Sequence, residues 1–392
     1  MVSLSVVGSL AEVDAEAWDA LGSADFPFAS HAFLRLLETS KSVGRGTGWT
    51  PSYVCAHEGK TLIGAMPSYL RSDSYGEYIF DWAWAQAAAR AGIPYYPKIT
   101  VAIPFTPATG PRFFVHPEVD RDATRTQLLA GLRALAQQSK ANSTHVLLCL
   151  DEEASFFAER GFLRRATHQY HFRNPGYADY EAFLAALKSS ARKQLRKERR
   201  RIAEQEIRIA VKRGDELSQA EWATIFELYT HTSGRKWGRP YLTEEFFAHA
   251  RSALGSQALA VIAYEKEQPI AMSLSFVRGC AVFGRYWGAF VERDSLHFEL
   301  CYHQLIDYAI ANGLRLVEAG AQGEHKLKRG FVPVITHSAH LIEHRGLADA
   351  IARAVHAENE HLQAALPELS SHAPFREDAI PPYPPLAGIP LP

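Results

Sequence analysis

The chain of 392 residues is poor in cysteine, in net charge and in long apolar runs, and each shortage excludes a class of protein. Its four cysteines, Cys55, Cys149, Cys280 and Cys301, stand far apart and none forms a CxxC pair. That argues against a zinc knuckle or a thioredoxin-type site and for thiols of a reducing compartment. Lys and Arg number 42 against 43 Asp and Glu, a net charge of -1, so the chain is not basic throughout in the manner of a polyanion binder, and DNA is not an expected partner. No stretch reaches the roughly 18 to 20 apolar residues of a membrane span. Residues 1–22 lack a basic lead before an apolar core, so no secretory signal is expected. HExxH is missing, and no metal or permanently bound cofactor is expected. The expected location is the cytoplasm, with peripheral contact at the inner face of the membrane left open. What is present, 47% hydrophobic and 22% charged residues, is the make-up of a globular protein of about two to three domains.

The charge is unevenly spread. Residues 188–201, KSSARKQLRKERRR, carry eight bases and one acid, a local +7 that leaves -8 for the remainder. Tyr180, Phe183, Leu184, Leu187, Ala191, Leu195 and Ile202 recur at helical spacing, which predicts one helix with an apolar stripe and a basic back. Such a back suits the phosphates of a cofactor, an RNA or a lipid surface, or is a solvated face.

The chain also repeats itself. RGFLRRATHQYHF (160–172) and RGFVPVITHSAHL (329–341) share six of 13 positions at an offset of 169, and Ala65, Met66 and Arg71 are echoed by Ala271, Met272 and Arg278. Two long copies indicate a duplicated domain, not a solenoid. The unequal offsets place roughly 37 extra residues in the first half, around 82–107. Helices are expected over 15–21, 31–39, 121–139, 218–229, 243–254 and 298–312, with a capping box at Ser218 to Glu221 and a closing Gly313. Strands are expected over 52–57, 61–71, 75–80, 145–150, 258–264, 270–277, 281–289 and 314–319. The order helix, helix, antiparallel strands, helix, strand, short helix, strand occurs twice.

That order resembles the GNAT acyltransferase fold, and a tandem pair joined by a basic helix resembles the Fem-type transferases. FPFASHAFL (26–34), YGEYIFDWAWA (75–85), YYPKITVAIPFTPATGPR (95–112), RKWGRPYLTEEFF (235–247), GRYWGAF (284–290), LHFELCYHQLIDYAI (296–310) and GAQGEHKLKRGF (320–331) resemble the FemAB-like proteins labelled peptidoglycan biosynthesis/recognition. The resemblance implies an α/β (α+β) fold of tandem duplicated GNAT (acyl-CoA N-acyltransferase) domains, Fem-like but without a coiled-coil arm. The expected divisions are a first domain 1–178, a basic linker helix 179–206, a second domain 207–376 and a proline-rich tail 377–392. Some relatives are associated with N-acylation of sphingoid bases, the bacterial ceramide synthase activity. The resemblance therefore implies transfer of an acyl group from acyl-CoA, as co-substrate, to the amine of an amphiphilic acceptor such as a sphingoid base. A Fem-type aminoacyltransferase using aminoacyl-tRNA and a non-catalytic recognition protein are the alternatives.

Acyl transfer to an amine needs a donor site, a base and hydrogen-bond donors for the oxyanion. The diphosphate loop of GNAT enzymes, (R/Q)xxGx(G/A), has as its counterpart VERDSLHFEL (291–300), which contains no glycine. Phosphates are then expected on Lys326 and Arg329 or on Arg196 and Arg200 of the basic helix, or else the donor is not CoA. Glu324, His325 and Lys328 form an acid, imidazole and amine cluster after a glycine-rich lead, and Lys328 matches the Fem-type lysine placed near the reacting carbonyl. Glu299, Tyr302 and His303, spaced i, i+3 and i+4, are expected on one helix face, with Glu299 and Tyr302 as base and acid. Glu77, Asp81, Trp82, Lys98, Arg112, Arg285, Tyr286 and Trp287 are expected as substrate-binding residues, the carboxylates either paired with Lys98 or Arg112 or raised in pKa. Arg235, Lys236 and Trp237 extend the same guanidinium–aromatic mixture. An acyl chain calls for an apolar groove at the junction of the halves, built from segments such as Ile99 to Phe105. His168, His171, His337 and His340 recur in both copies and are expected to be structural.

Overall fold

The computed structural model describes residues 2–23, 26–237, 240–321 and 323–379. The proline-rich residues 380–392, like Gly238 and Arg239 of the motif 235–247, lie outside the described residues. The chain folds as two units, residues 2–167 with 335–364, and residues 168–334 with 365–379.

The first unit begins with β1 (Val2–Val7), α1 (Ala15–Asp19), α2 (His31–Thr39), β2 (Trp49–Pro51), β3 (Tyr53–Glu58), β4 (Thr61–Met66) and β5 (Ser68–Arg71). It continues through α3 (Trp82–Arg90), β6 (Lys98–Val101), β7 (Phe114–Val115), α4 (Arg121–Gln138), β8 (Ser143–Cys149), α5 (Asp151–Ala158) and the start of β9 (Leu163–Arg173). Ser30 and Asp120 start their helices, accepting hydrogen bonds from the amides of Phe33 and Ala123. The expected strand 61–71 is two strands. Proline has no amide hydrogen for a ladder, and at Pro67 the chain leaves β4, which lies in a sheet ordered β1-β3-β4-β7, and enters β5, which pairs with β6. The extra residues are in two places: 72–97, between β5 and β6, where the second unit has only the turn Gly279–Cys280, and 102–120, between β6 and α4, where it has only 290–295. Residues 75–80 are not a strand, because Tyr78 and Phe80 take left-handed φ of 61° and 54°. Val54, Met66, Val101, Leu128, Leu132 and Phe157 are central to the core.

The second unit contains α6 (Tyr180–Ala185), α7 (Ser189–Glu204), β10 (Arg208–Arg213), α8 (Gln219–Trp237), α9 (Glu244–Leu254), β11 (Ala258–Glu265), β12 (Gln268–Arg278) and β13 (Ala281–Ala289). Then come α10 (Leu296–Phe298), a π-turn (Glu299–His303), α11 (Gln304–Ala311), β14 (Leu316–Glu318), a 3-10 turn (Glu324–Arg329), β15 (Phe331–Ile342) and α12 (Arg345–Ser371). The strand order is β10-β11-β12-β13-β14-β9, antiparallel except for β13 with β14. The capping box at Ser218 forms, with Glu221 Oε2 accepting from the Ser218 amide at 2.8 Å and Ser218 Oγ from the Glu221 amide at 3.2 Å. The helix expected across 180–202 is instead α6 and α7. Between them the Lys188 amide donates to the Pro374 carbonyl, and a helix cannot continue through a residue whose amide is used elsewhere. α7 leads directly into β10, with no helical arm.

The long repeat is the strand pair β9 and β15. Each starts in one unit and ends in the other, and the equivalent threonines Thr167 and Thr336 share a 2.8 Å hydrogen bond at the changeover. Within the first unit, residues 337–342 of β15 pair antiparallel with β8. His145 and His340 meet there Nδ1 to Nδ1 at 2.8 Å, each with its Nε2 on a serine, Ser143 and Ser338.

Candidate active site

The sequence motifs converge in the second unit, at the end of β13. Only Ala281–Phe283 pair with β14, so from Gly284 to Ala289 β13 is paired on its β12 side alone. Gly288 is required by close approach, because the Leu228 backbone of α8 occupies the place a Cβ would need. Past Ala289 the chain turns through 290–295 and enters α10 after Ser295, whose φ is 66°. This turn falls in the stretch 291–300 that the sequence resemblance sets against the glycine-containing phosphate loop. Here it is held by side chains: Arg293 pairs with Glu265 at 3.0 Å and Asp294 pairs with Arg201 of α7. Trp287, Phe290, Arg293, Leu296, His297 and Phe298 line a cleft of about 540 Å³ beside it.

His325 stands next to this cleft. Its ring lies 6.1 Å from that of His297 and 5.7 Å from that of Phe298, centroid to centroid, and its Nε2 is 2.8 Å from the Tyr302 hydroxyl. In a 3-10 turn side chains three apart eclipse one another, so residues 324–329 bury Lys326, Leu327 and Arg329 and present Glu324, His325 and Lys328 outward. Gly323, at φ 115°, faces the imidazole so closely that a Cβ there would collide with it. Burial, followed by the charges of Arg329 and Lys326, lowers the pKa of His325 and keeps it neutral at physiological pH. Burial raises the Tyr302 phenol, which stays protonated.

A buried network holds this turn from below. Glu198 of α7 accepts from Arg329 at 2.7 and 3.1 Å and faces His303 Nε2 at 3.0 Å. His303 Nδ1 lies 2.7 Å from the Tyr180 hydroxyl. Arg329 donates to the His325 carbonyl at 2.7 Å and stacks 3.3 Å over Phe298. Burial works against the charge on Glu198, but hydrogen bonds from His303 and Gln194 and the Arg329 guanidinium outweigh it, and its pKa falls. Lys326 is buried and donates to the Gly320 carbonyl at 2.7 Å. Burial carries its pKa down to about 7, with Cys301 and Glu318 opposing and Arg285 assisting.

Glu299 and His303 both meet α7, whereas Tyr302 turns to His325. The π-turn, closed by Gln304 N–H to the Glu299 carbonyl five residues back, widens the helix and changes the i, i+3, i+4 register. Tyr302 reaches His325 and His303 reaches Glu198, whereas Glu299 accepts from Gln304 at 2.7 Å and lies 3.4 Å from Arg199. Glu324 is separate from His325: it bears electrostatically on His168 and Tyr170 of β9. Lys328 is exposed. Of the remaining expected ligands in this unit, Trp287 lines the cleft, Tyr286 packs against Tyr229 at 5.4 Å, and Arg285 neighbours Tyr286 at 5.7 Å. Arg196 pairs with Glu181, and Arg200 is exposed.

The expected ligands of the first unit lie elsewhere. Lys98 is fully buried and donates to Ser74, Glu77 and Asp81 at 2.7, 2.8 and 2.6 Å. Arg71 holds the other oxygen of Glu77 at 3.1 Å, and Tyr95 donates to Asp81 at 2.7 Å. Burial opposes the charge on Asp81, but Lys98 and His145 outweigh it and its pKa is depressed. Arg112 is buried with its guanidinium on the carbonyls of Leu147, Gly110, Pro111 and Ala108. These side chains are engaged with one another and with backbone. Trp82 is 46% exposed on α3. Residues 99–105, expected to build a groove, are buried on and just after β6. Among the described residues no group of three or more His, Cys, Asp or Glu could hold a metal ion, and no helix is long and apolar enough to cross a membrane.

The site residues that the sequence did not single out are Glu198, Tyr180 and Phe298. A signal existed for the first: Glu198 is the one acid of the basic segment 188–201 and stands three residues after Leu195 and four before Ile202, on the apolar stripe. A lone acid at such a position needs a buried partner.

The architecture is mixed α+β, the tandem GNAT arrangement. FemX has the same fold, with a TM-score of 0.53 and 12% identity over 87% of this chain and 98% of that one. So has the C-terminal domain of a putative lysylphosphatidylglycerol synthetase from Agrobacterium fabrum, with a TM-score of 0.52 and 11% identity over 88% of this chain and 97% of that one. No curated protein matches the sequence. The chain belongs to the FemAB-like family, described as peptidoglycan biosynthesis/recognition, whose model matches residues 9–377.

Proposed function

We propose that the second unit transfers an acyl group from a thioester to the amine of an amphiphilic acceptor, with His325 as general base. The observation that carries this reading is the His325–Tyr302 pair beside the aromatic cleft. In the tautomer with hydrogen on Nε2, that N–H donates to the Tyr302 oxygen and leaves the Nδ1 lone pair for the amine proton. The amine nitrogen attacks the thioester carbonyl and the C–N bond forms. His325 takes the proton, the tetrahedral intermediate collapses, and the C–S bond breaks as the thiolate leaves and is protonated. The lowered pKa of His325 serves this step, because the imidazole is already deprotonated at pH 7. Trp287, Phe290 and Phe298 give the cleft the apolar surface that an acyl chain or an amphiphilic amine requires. A sphingoid base fits that description of the acceptor, and acyl-CoA is the simplest donor to supply. The test is thiol release from palmitoyl-CoA in the presence of sphinganine. We expect turnover in the parent protein and a loss of about 10²–10⁴-fold in His325→Ala, the usual contribution of a general base. Absence of turnover in the parent from every acyl thioester supplied, or undiminished turnover in the variant, removes the reading.

A further inference from the structure

α7 carries its cations in an ordered way. Leu195, Glu198 and Ile202 face the core, and Arg199 and Arg201 are committed to Glu299, Asp307 and Asp294. The outward stripe is Lys193, Arg196, Lys197 and Arg200, at i, i+3, i+4 and i+7, flanked by Arg192 and Lys188. Within the stripe, Arg196 pairs with Glu181. The stripe spans about 10 Å at 1.5 Å per residue and ends at the exposed Glu204. Its last turn is tied to the cleft, because Arg201 and Gln205 both hold Asp294 in the turn that leads into α10.

We propose that this stripe docks a small acidic carrier protein, which presents the acyl thioester to the cleft on a phosphopantetheine arm. The inference rests on the acyl-transfer reading. Three observations carry it. First, the 290–295 turn offers carboxylates and internally paired side chains where a nucleotide donor's diphosphate would sit, whereas an arm attached to a protein brings no nucleotide and one phosphate. Second, the exposed Lys188, Lys193, Lys197 and Arg200, with the half-buried Arg192 beside them, are complementary to an acidic surface and raise its association rate. Third, the basic run is one helix long and the rest of the chain carries -8. A compact acidic partner meets the cations alone, whereas an extended polyanion or a broad anionic membrane also meets Glu181 and the exposed Glu204 that bound the stripe.

The test compares the parent with the triple variant Arg192→Glu/Lys193→Glu/Lys197→Glu, whose three sites are all away from the core. Fluorescence anisotropy with labelled palmitoyl acyl carrier protein should show binding that weakens at least tenfold in the variant and weakens with added salt. Turnover of palmitoyl-CoA should change less than twofold. Carrier affinity unmoved by the charge reversal overturns the proposal. So does bulk tRNA, or phosphatidylglycerol vesicles, binding the parent more tightly than the carrier does and being released by the same variant. Loss of carrier binding in the variant, with no turnover from either donor, leaves the docking surface standing and removes the acyl-transfer reading. Turnover from palmitoyl-CoA with no carrier binding does the reverse.

Discussion

Glu198 and Arg329, 131 residues apart in sequence, are joined in the second unit by two hydrogen bonds of 2.7 and 3.1 Å. Arg329 passes the constraint on, because its third bond holds the carbonyl of His325. Removing one partner of a buried ion pair leaves an uncompensated charge and costs about 3–5 kcal/mol. Glu198→Ala should therefore lower stability by that order, measured by urea unfolding, and Arg329→Met/Glu198→Met should recover part of the loss. Unfolding free energies equal to the parent's in Glu198→Ala would show the pair to be energetically idle.

Gly323 bears on the same turn. At φ 115°, alanine is strained, and its methyl would strike the His325 ring. We expect Gly323→Ala to lose at least tenfold in kcat with a stability change of about 1–2 kcal/mol. A normal kcat would mean that the position of the imidazole is unimportant to turnover.

Proton uptake gives a prediction for stability. Burial lowers His145 and His171 to about 3, with Lys98 assisting at the first and Arg173 at the second. In the unfolded chain each takes up a proton near pH 6.5, about three units before the folded chain does. The stability these neutral imidazoles contribute is complete above pH 6.5 and is lost as the pH falls toward 3, by up to about 1.4 kcal/mol per pH unit for each residue. Urea midpoints measured between pH 7 and 4 should fall accordingly, and His171→Asn should flatten the curve.

Activity should follow a different group. With the pKa of His325 below its ordinary value, kcat should stay flat through neutral pH and fall on acidification with an apparent pKa under 6.5. Tyr302→Phe removes a hydrogen bond worth about 1 kcal/mol, so kcat should drop about fivefold. An acid limb centred above 6.5 would point to another base.

The Lys98 cluster makes the contrasting prediction. Glu77 and Asp81 both rest on Lys98, so Lys98→Met should destabilise the protein by about 3–5 kcal/mol. Turnover per folded molecule should stay within a factor of two. A specific loss of activity in soluble, folded Lys98→Met would return this cluster to the reaction.

Much of the fold could be read along the chain. The capping box at Ser218, the strands β11 to β13 and the repeat at 160–172 and 329–341 are local signals, and the structure follows them. The misread elements have causes that a periodicity hides, two of them local and one distant in sequence. Pro67 splits a strand, Pro374 takes the amide of Lys188, and left-handed Tyr78 and Phe80 turn an apparent strand into loop. At the candidate site, the sequence pointed to the turn 324–329, but a spacing rule for α-helices could not foresee the π-turn that aims Tyr302 and His303 in different directions.

The sequence by itself determined which residues are apolar at strand and helix period, that the architecture is duplicated, and that charge is concentrated on one helix. These properties depend on neighbours a few positions away. Which acid meets which base was decided only by tertiary structure: Glu198 with Arg329, Lys98 with Glu77 and Asp81, His145 with His340. Burial removes water from such groups, and a charge without water must find its partner wherever the packed chain brings one, at whatever distance in sequence.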